Sequence, residues 1–166
     1  MSLDYIFRRR SIRAFTGDDV SESAVHLLLE AAMAAPSAHN RKPWHFIVIR
    51  KREILDHIAE LHPYAKMLYR APLAFAVCGD IQKSPRRWDQ DCAAATENIL
   101  LALPELELGG VWIGYHPRDE EKNVLHGHIE LPPNIKIFCF IAVGKPAEEK
   151  QSRTQFEESY VHCDRW

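Results

Sequence analysis

Arg8-Arg9-Arg10-Ser11-Ile12-Arg13 sets four guanidinium groups and a hydroxyl within six residues of a chain whose charge is otherwise balanced. Each Arg offers five donors in a planar fork that matches phosphate oxygens, and Ser11 adds a hydroxyl able to bond the same group. Taken alone, the hexapeptide fits a solvated basic face as well as it fits an anion site. The decision comes from what the remaining segments place around it.

Lys and Arg total 21 against 23 Asp and Glu in 166 residues, for a formal net charge of -2. This balance gives no general attraction to nucleic acid, so the arginines read as a local site and not as a nucleic-acid footprint. The length and 46% hydrophobic content suit one domain with a sizeable core. The first ten residues lack an apolar leader segment, and no apolar run nears the ~20 residues of a membrane span. A soluble, cytoplasmic protein with no membrane partner is expected. Cys78, Cys92, Cys139 and Cys163 show no C-x-x-C spacing and read as free thiols used in packing. The histidines form no zinc pair at helical spacing, and His126-Gly127-His128 reads as a surface turn, so no metal is assigned.

Periodicity alternates between helix and strand without repeats. Ser21 is a helix cap before Val25, Leu28, Leu29, Ala32 and Met33, which follow helical spacing and stop before Pro36. Residues 45–50 read as a strand and 51–61 as a helix burying Ile54, Leu55 and Ile58. Residues 71–78 form a short apolar strand, and 91–103 an Ala-rich, deeply buried helix that Pro104 ends. Residues 110–115 and 135–143 supply two further strands, the second with too few polar positions for a solvated face. Beyond Gly144-Lys145-Pro146 the chain is too polar to form a core, so residues 147–166 need a surface to lie upon.

Two other segments carry chemistry. Pro36-Ser37-Ala38-His39-Asn40-Arg41-Lys42-Pro43-Trp44 combines two rigid prolines, short polar side chains and an aromatic wall; it reads as a recognition loop or as a plain turn with Asn40 bonding its own backbone. Gly109-Gly110 precedes a strand and reads either as a tight turn or as a place where a planar ligand meets bare backbone. Neither G-x-G-x-x-G nor G-x-x-x-x-G-K-[ST] occurs, so an ordinary dinucleotide or triphosphate loop is unsupported.

In order, these segments resemble the nitroreductase family of FMN-dependent NAD(P)H oxidoreductases, particularly its short members. Arg9-Arg10-Ser11-Ile12-Arg13-Ala14-Phe15 is similar to the family's opening flavin-phosphate motif, and residues 35–46 to its flavin-edge loop. Residues 109–114 are similar to its central segment, and Val143-Gly144-Lys145-Pro146 with Ser152-Arg153 to its ending. The resemblance covers nearly the whole chain.

It implies one α+β domain over residues 1–166: a three-layer sandwich whose mixed, mainly antiparallel sheet is flanked by helices. It also implies an intertwined homodimer with two FMN sites at the interface, each using both chains, and a tail over 147–166 that packs on the dimer. By carry-over, Arg9, Arg10, Ser11, Arg13 and Arg153 come from one subunit, with Arg13 toward the pyrimidine or ribityl side. Pro36, Ser37, Ala38 and Asn40 come from the other, and Gly109 and Gly110 set backbone N–H groups near the flavin. The implied reaction passes hydride from NAD(P)H through flavin N5 to a small acceptor, a nitroaromatic, quinone or similar compound, by a ping-pong mechanism without a side-chain acid or base. A flavin-binding module that senses or stores FMN without turnover is the alternative, and a phosphate-ligand or nucleic-acid contact protein is a third reading.

Departures from the family pattern fall at Lys42, where many members have Gln, at Gln151, where a Lys often stands, and at Pro104 before the paired glycines. Only residues 81–89 separate strand from central helix, too few for a long flavin cover, so Arg86, Arg87 and Trp88 read as rim residues or as a solvated basic loop.

Overall fold

The architecture was obtained as a computed structural model, which describes residues 3–115 and 129–166. The His126-Gly127-His128 turn lies outside them. Four strands, β1 (Trp44–Ile49), β2 (Leu73–Asp80), β3 (Gly109–Gly114) and β4 (Ile135–Gly144), form one sheet in the order β1-β2-β4-β3. Every neighbouring pair is antiparallel, with Trp44 opposite Gly79, Leu73 opposite Val143 and Gly109 opposite Gly144. The parallel component is a single bridge from Ser11 to Gly110 outside the named strands.

Successive strand side chains face opposite sides, and β2 uses this to feed two cores. Ala74, Ala76 and Cys78 join Leu55, Ile58 and Phe140 on one side, where α3 (Arg52–Leu61) packs. Leu73, Phe75 and Val77 join Val25, Leu28, Cys92 and Ile99 on the other, under α2 (Glu22–Met33) and α4 (Trp88–Ala102). The result is the expected three-layer α+β sandwich. Both central strands are covered on both faces, which explains why β4 shows so little polar alternation.

Local sequence signals account for most element ends. The Ser21 hydroxyl accepts from Ala24 N at 3.2 Å and caps α2. α4 is capped at Leu103, and Pro104 opens the short 3-10 turn Leu103–Leu106. Two expectations need correction. Met33 is 54% exposed, because eight residues of α-helix rotate it ~80° from Val25 and away from the buried stripe of Val25, Leu28 and Ala32. α4 also begins three residues earlier than expected, since Trp88 N already donates to Ser84 O at 3.0 Å and Asp91 N to Arg87 O at 2.9 Å.

Cys78, Cys92 and Cys139 are buried and unbridged, while Cys163 is exposed. Burial pushes the Cys78 thiol up to about 12; at Cys139 burial does the same, opposed by the Thr96 hydroxyl. Burial, reinforced by neighbouring acidic groups, also raises Cys92. These three sulfurs stay protonated and serve packing. Among the described residues no helix is long and apolar enough to cross a membrane.

Candidate functional site

The arginine segment leaves α1 (Asp4–Arg8) as an extended strand-like run, and the C-terminal segment folds back along it. Phe15 bridges Pro146, Thr16 N donates to Lys145 O at 3.0 Å and Ala147 N donates to Ala14 O at 2.9 Å. Glu148 Oε1 then accepts from Arg13 N at 2.5 Å and Ala14 N at 3.2 Å, and Lys150 Nζ donates to Ser11 O at 2.6 Å. The Arg10 guanidinium donates to Gln151 O, and Arg153 N donates to Phe7 O at 3.1 Å. Residues 145–153 thus run antiparallel to residues 16–7, and Arg153 is brought beside the arginine run from which 140 residues of sequence separate it.

The other flank of this segment meets β3. Ile12 N donates to Gly110 O at 2.9 Å, and Ile12 packs so tightly that a Cβ on Gly109 would stand 2.7 Å from its Cγ1. A Cβ on Gly110 would stand 2.7 Å from Ala142 O and from Leu103 Cδ1. The paired glycines therefore have a packing role: they admit the N-terminal segment and β4 at close range.

A cavity of about 450 Å³ opens where these parts converge, walled by Arg10, Ile12, Gly109, Gly110, Glu148 and Lys150 among others. Arg9 turns to Glu97 of α4 at 3.6 Å, where burial raises the Glu97 carboxyl and the guanidinium opposes that shift. Arg13 lines a second cavity, of about 540 Å³, together with Lys66, Met67 and Arg70. Arg8, at the helix end, pairs with Asp4 at 2.6 Å and with Glu105, as a surface charge does. Among the described residues, neither the Arg13 nor the Arg153 guanidinium has a side-chain partner.

The recognition loop is built differently. His39, Asn40 and Lys42 all have positive φ, at 53°, 53° and 48°, a conformation that costs a non-glycine residue about 1–2 kcal/mol. Surrounding bonds hold it there. Ala38 N donates to the buried carboxylate of Asp91 at 2.8 Å, and Lys42 N donates to Ser37 Oγ at 2.9 Å. Asp91 Oδ2 also accepts the Ser84 hydroxyl at 3.0 Å, tying this loop to the turn that precedes α4. Asn40 N donates to Ser37 O at 2.9 Å, so the segment is a backbone-bonded turn, one of the two readings of its sequence. Strain held in place by neighbours is characteristic of binding loops.

Asp91, Glu148 and Lys150 went unread in the sequence. The signal for Asp91 was present: at i, i+4 and i+8 spacing it shares a face with Ala95 and Ile99, and a carboxylate on a buried face must have partners. Trp88 also departs from its expected place on the rim. It packs edge-on against Phe138, with centroids 6.3 Å apart, and fills the space that a Cβ on Gly79 would need. Arg86 and Arg87 do face an open cavity, together with Ala38 and Arg41.

Within one chain the two residue sets stand at opposite ends of α4. The loop is anchored at Asp91 and the arginine cavity touches Leu100 and Leu103, nine to twelve residues or ~14–18 Å away along the helix. A profile of the nitroreductase family matches residues 6–66 and 61–145. The chain belongs to the nitroreductase family.

Relatives agree with that placement. A protein of Archaeoglobus fulgidus, named for a proposed NADH dehydrogenase/NAD(P)H nitroreductase activity, is 41% identical over 170 residues, covering 99% of this chain and 98% of its own. A crystal structure from Clostridium acetobutylicum, of a protein named for a proposed NADH oxidase activity, shares 42% identity at a TM-score of 0.92, covering 98% of this chain and all of the other. A Desulfovibrio desulfuricans protein described as a nitroreductase candidate, solved in complex with FMN, shares 32% identity at a TM-score of 0.86, covering 99% and 96% of the two chains. This nitroreductase-family enzyme therefore spans essentially the full length of its short relatives, with the fold that its four motifs led us to expect.

Proposed function

We propose that this enzyme is an FMN-dependent oxidoreductase that takes hydride from NAD(P)H and passes it to a small acceptor by a ping-pong mechanism, as a homodimer with two interface sites. The observation that carries the reading is the antiparallel return of residues 145–153 along residues 16–7, which leaves Ser11 bridged to Gly110 and Arg10 in the cavity at the Gly109-Gly110 edge of β3, and brings the Arg153 backbone to Phe7. The donor set suits FMN: guanidinium forks and a hydroxyl for a phosphate, Arg13 for the electron-rich pyrimidine side, and close-packed backbone at the glycines. Pro36, Ser37, Ala38 and Asn40, held at the far end of α4, would reach that cofactor from the partner subunit. The separation of the two sets within one chain supports sites built from two chains.

When bound, FMN supplies two-electron chemistry at its N5. The chain's own tasks are to bind and orient. Charge-assisted bonds from Arg9, Arg10 and Arg153 to the phosphate, at about 1.5–3 kcal/mol each, would keep the cofactor through both half-reactions. Positive charge from Arg13 favours a reduced, anionic ring system, and no side chain need hold or move a proton for hydride arrival. The FMN complex of the Desulfovibrio relative supports the cofactor, and the names of the Archaeoglobus and Clostridium relatives support the nicotinamide donor.

The test is spectroscopic. The purified protein should be yellow, bleach anaerobically with NADH or NADPH, and recover colour with a nitroaromatic or quinone. Arg9→Ala and Arg153→Ala should each lower FMN retention. A colourless protein that takes up no added FMN would overturn the reading, and a yellow protein that neither nucleotide bleaches would leave the sensor or storage role in its place.

A further inference from the structure

The cavity between the recognition loop and the turn before α4 has a composition that the cofactor reading does not use. Ala38, His39 and Arg41 wall one side, and Ser84, Arg86 and Arg87 the other, around about 390 Å³. No carboxylate lines it, and Arg41, Arg86 and Arg87 make no ion pair among the described residues. Three exposed arginines that share one cavity mouth and lack a paired carboxylate are favourably placed for an anion, since like charges brought near one another gain from an opposite charge between them. The walls are also fixed in advance: the buried Asp91 carboxylate takes Ala38 N–H from one and the Ser84 hydroxyl from the other, and Lys83 Nζ donates to Lys42 O at 3.0 Å.

We propose that this basic cavity is the subsite for the 2′-phosphate of NADPH and makes the enzyme prefer NADPH to NADH. The inference rests on the nicotinamide donor of the proposed function and adds its specificity. A phosphomonoester carries about -1.5 to -2 charges at neutral pH and three acceptor oxygens, which matches three guanidinium forks better than a singly charged carboxylate does. The volume holds one ribose-phosphate end of a nucleotide and not a whole dinucleotide, whose remainder must extend outward. Ala38 lines this cavity and also belongs to the candidate cofactor loop, so a nucleotide anchored here begins beside the flavin edge.

The test is equilibrium binding by calorimetry on the purified protein, with adenosine 2′,5′-bisphosphate and AMP as probes. The bisphosphate should bind at least about tenfold tighter than AMP. In the double variant Arg86→Gln/Arg87→Gln the ratio should fall toward one, with FMN content and melting temperature retained because both side chains are exposed. Arg41→Gln alone should give an intermediate ratio. Equal binding of the two probes to the unaltered protein would overturn the proposal, as would a ratio unchanged in the double variant. Inorganic phosphate binding as tightly as the bisphosphate would overturn the nucleotide assignment in favour of a simple oxyanion site. Loss of flavin binding would defeat the proposed function alone, since the ratio of the two probes is read without turnover.

Discussion

Gly110 carries a packing role beside the ligand role that its sequence suggests. A Cβ there would stand 2.7 Å from both Ala142 O and Leu103 Cδ1, so close packing requires a glycine whatever the backbone N–H faces. Those neighbours belong to β4 and to the end of α4, and nothing in the local sequence announces them. The atoms nearest a Cβ on Gly109 are Cβ and both γ carbons of Ile12, at 2.7–3.0 Å, which can yield only by a shift of the segment around Ile12, whereas the Ala142 carbonyl is pinned in the sheet. Gly110→Ala should therefore cost about 1–3 kcal/mol in urea denaturation, and Gly109→Ala distinctly less. Equal costs at the two positions would mean that the Ile12 contact is as rigid as the sheet.

At the scale of elements, the helices and strands were legible because their periods are local. Ser21, Pro104 and the unbroken apolar run of β4 set boundaries by chemistry acting within a few residues. Contacts between distant segments were not legible: Asp91 holding Ala38, and Glu148 receiving the backbone of Arg13 and Ala14, join residues 53 and 135 positions apart. Glu148 is the point where the returning segment locks onto the arginine run. The Arg13 N–H holds its carboxyl below the ordinary value of 4.5; burial works against that shift, while the Lys150 ammonium, 3.1 Å away, and Ala14 N–H add to it. A carboxylate whose folded pKa is lowered contributes stability that is present above its unfolded value and lost as pH falls through the folded one. The stability difference between the natural protein and Glu148→Gln should accordingly be full at neutral pH and fade below 4.5. Urea denaturation between about pH 7 and pH 3 at fixed protein concentration measures it, and a difference that grows toward acid would refute the latch.

At the scale of the whole molecule, the polar C-terminal stretch poses a question of surface. Residues 151–166 are exposed throughout, and they include Phe156 at 81%, Tyr160 at 83% and Trp166 at 100%. Large aromatic side chains left fully in water lose the burial that makes them favourable, about 25 cal/mol for each Å² of apolar surface. A chain that keeps several of them on one extended arm is shaped to lay that arm on another surface, and in the proposed dimer the second copy supplies it. The polarity of residues 147–153 already raised this need in the sequence, but which residues leave the body of the fold became visible only with Arg153 N anchored on Phe7 O and, among the described residues, the chain beyond Glu157 held by its own turn and the His162–Trp166 ring stack. Removing residues 155–166 keeps every contact of the 145–153 return, so the fold of each subunit should survive. What should change is association: sedimentation equilibrium should show the dimer dissociating at protein concentrations where the full chain remains paired, with FMN lost in parallel because each site draws on both chains. A truncated protein that stays dimeric and yellow would assign the dimer contact to the body of the fold and leave the aromatic arm without a role in assembly.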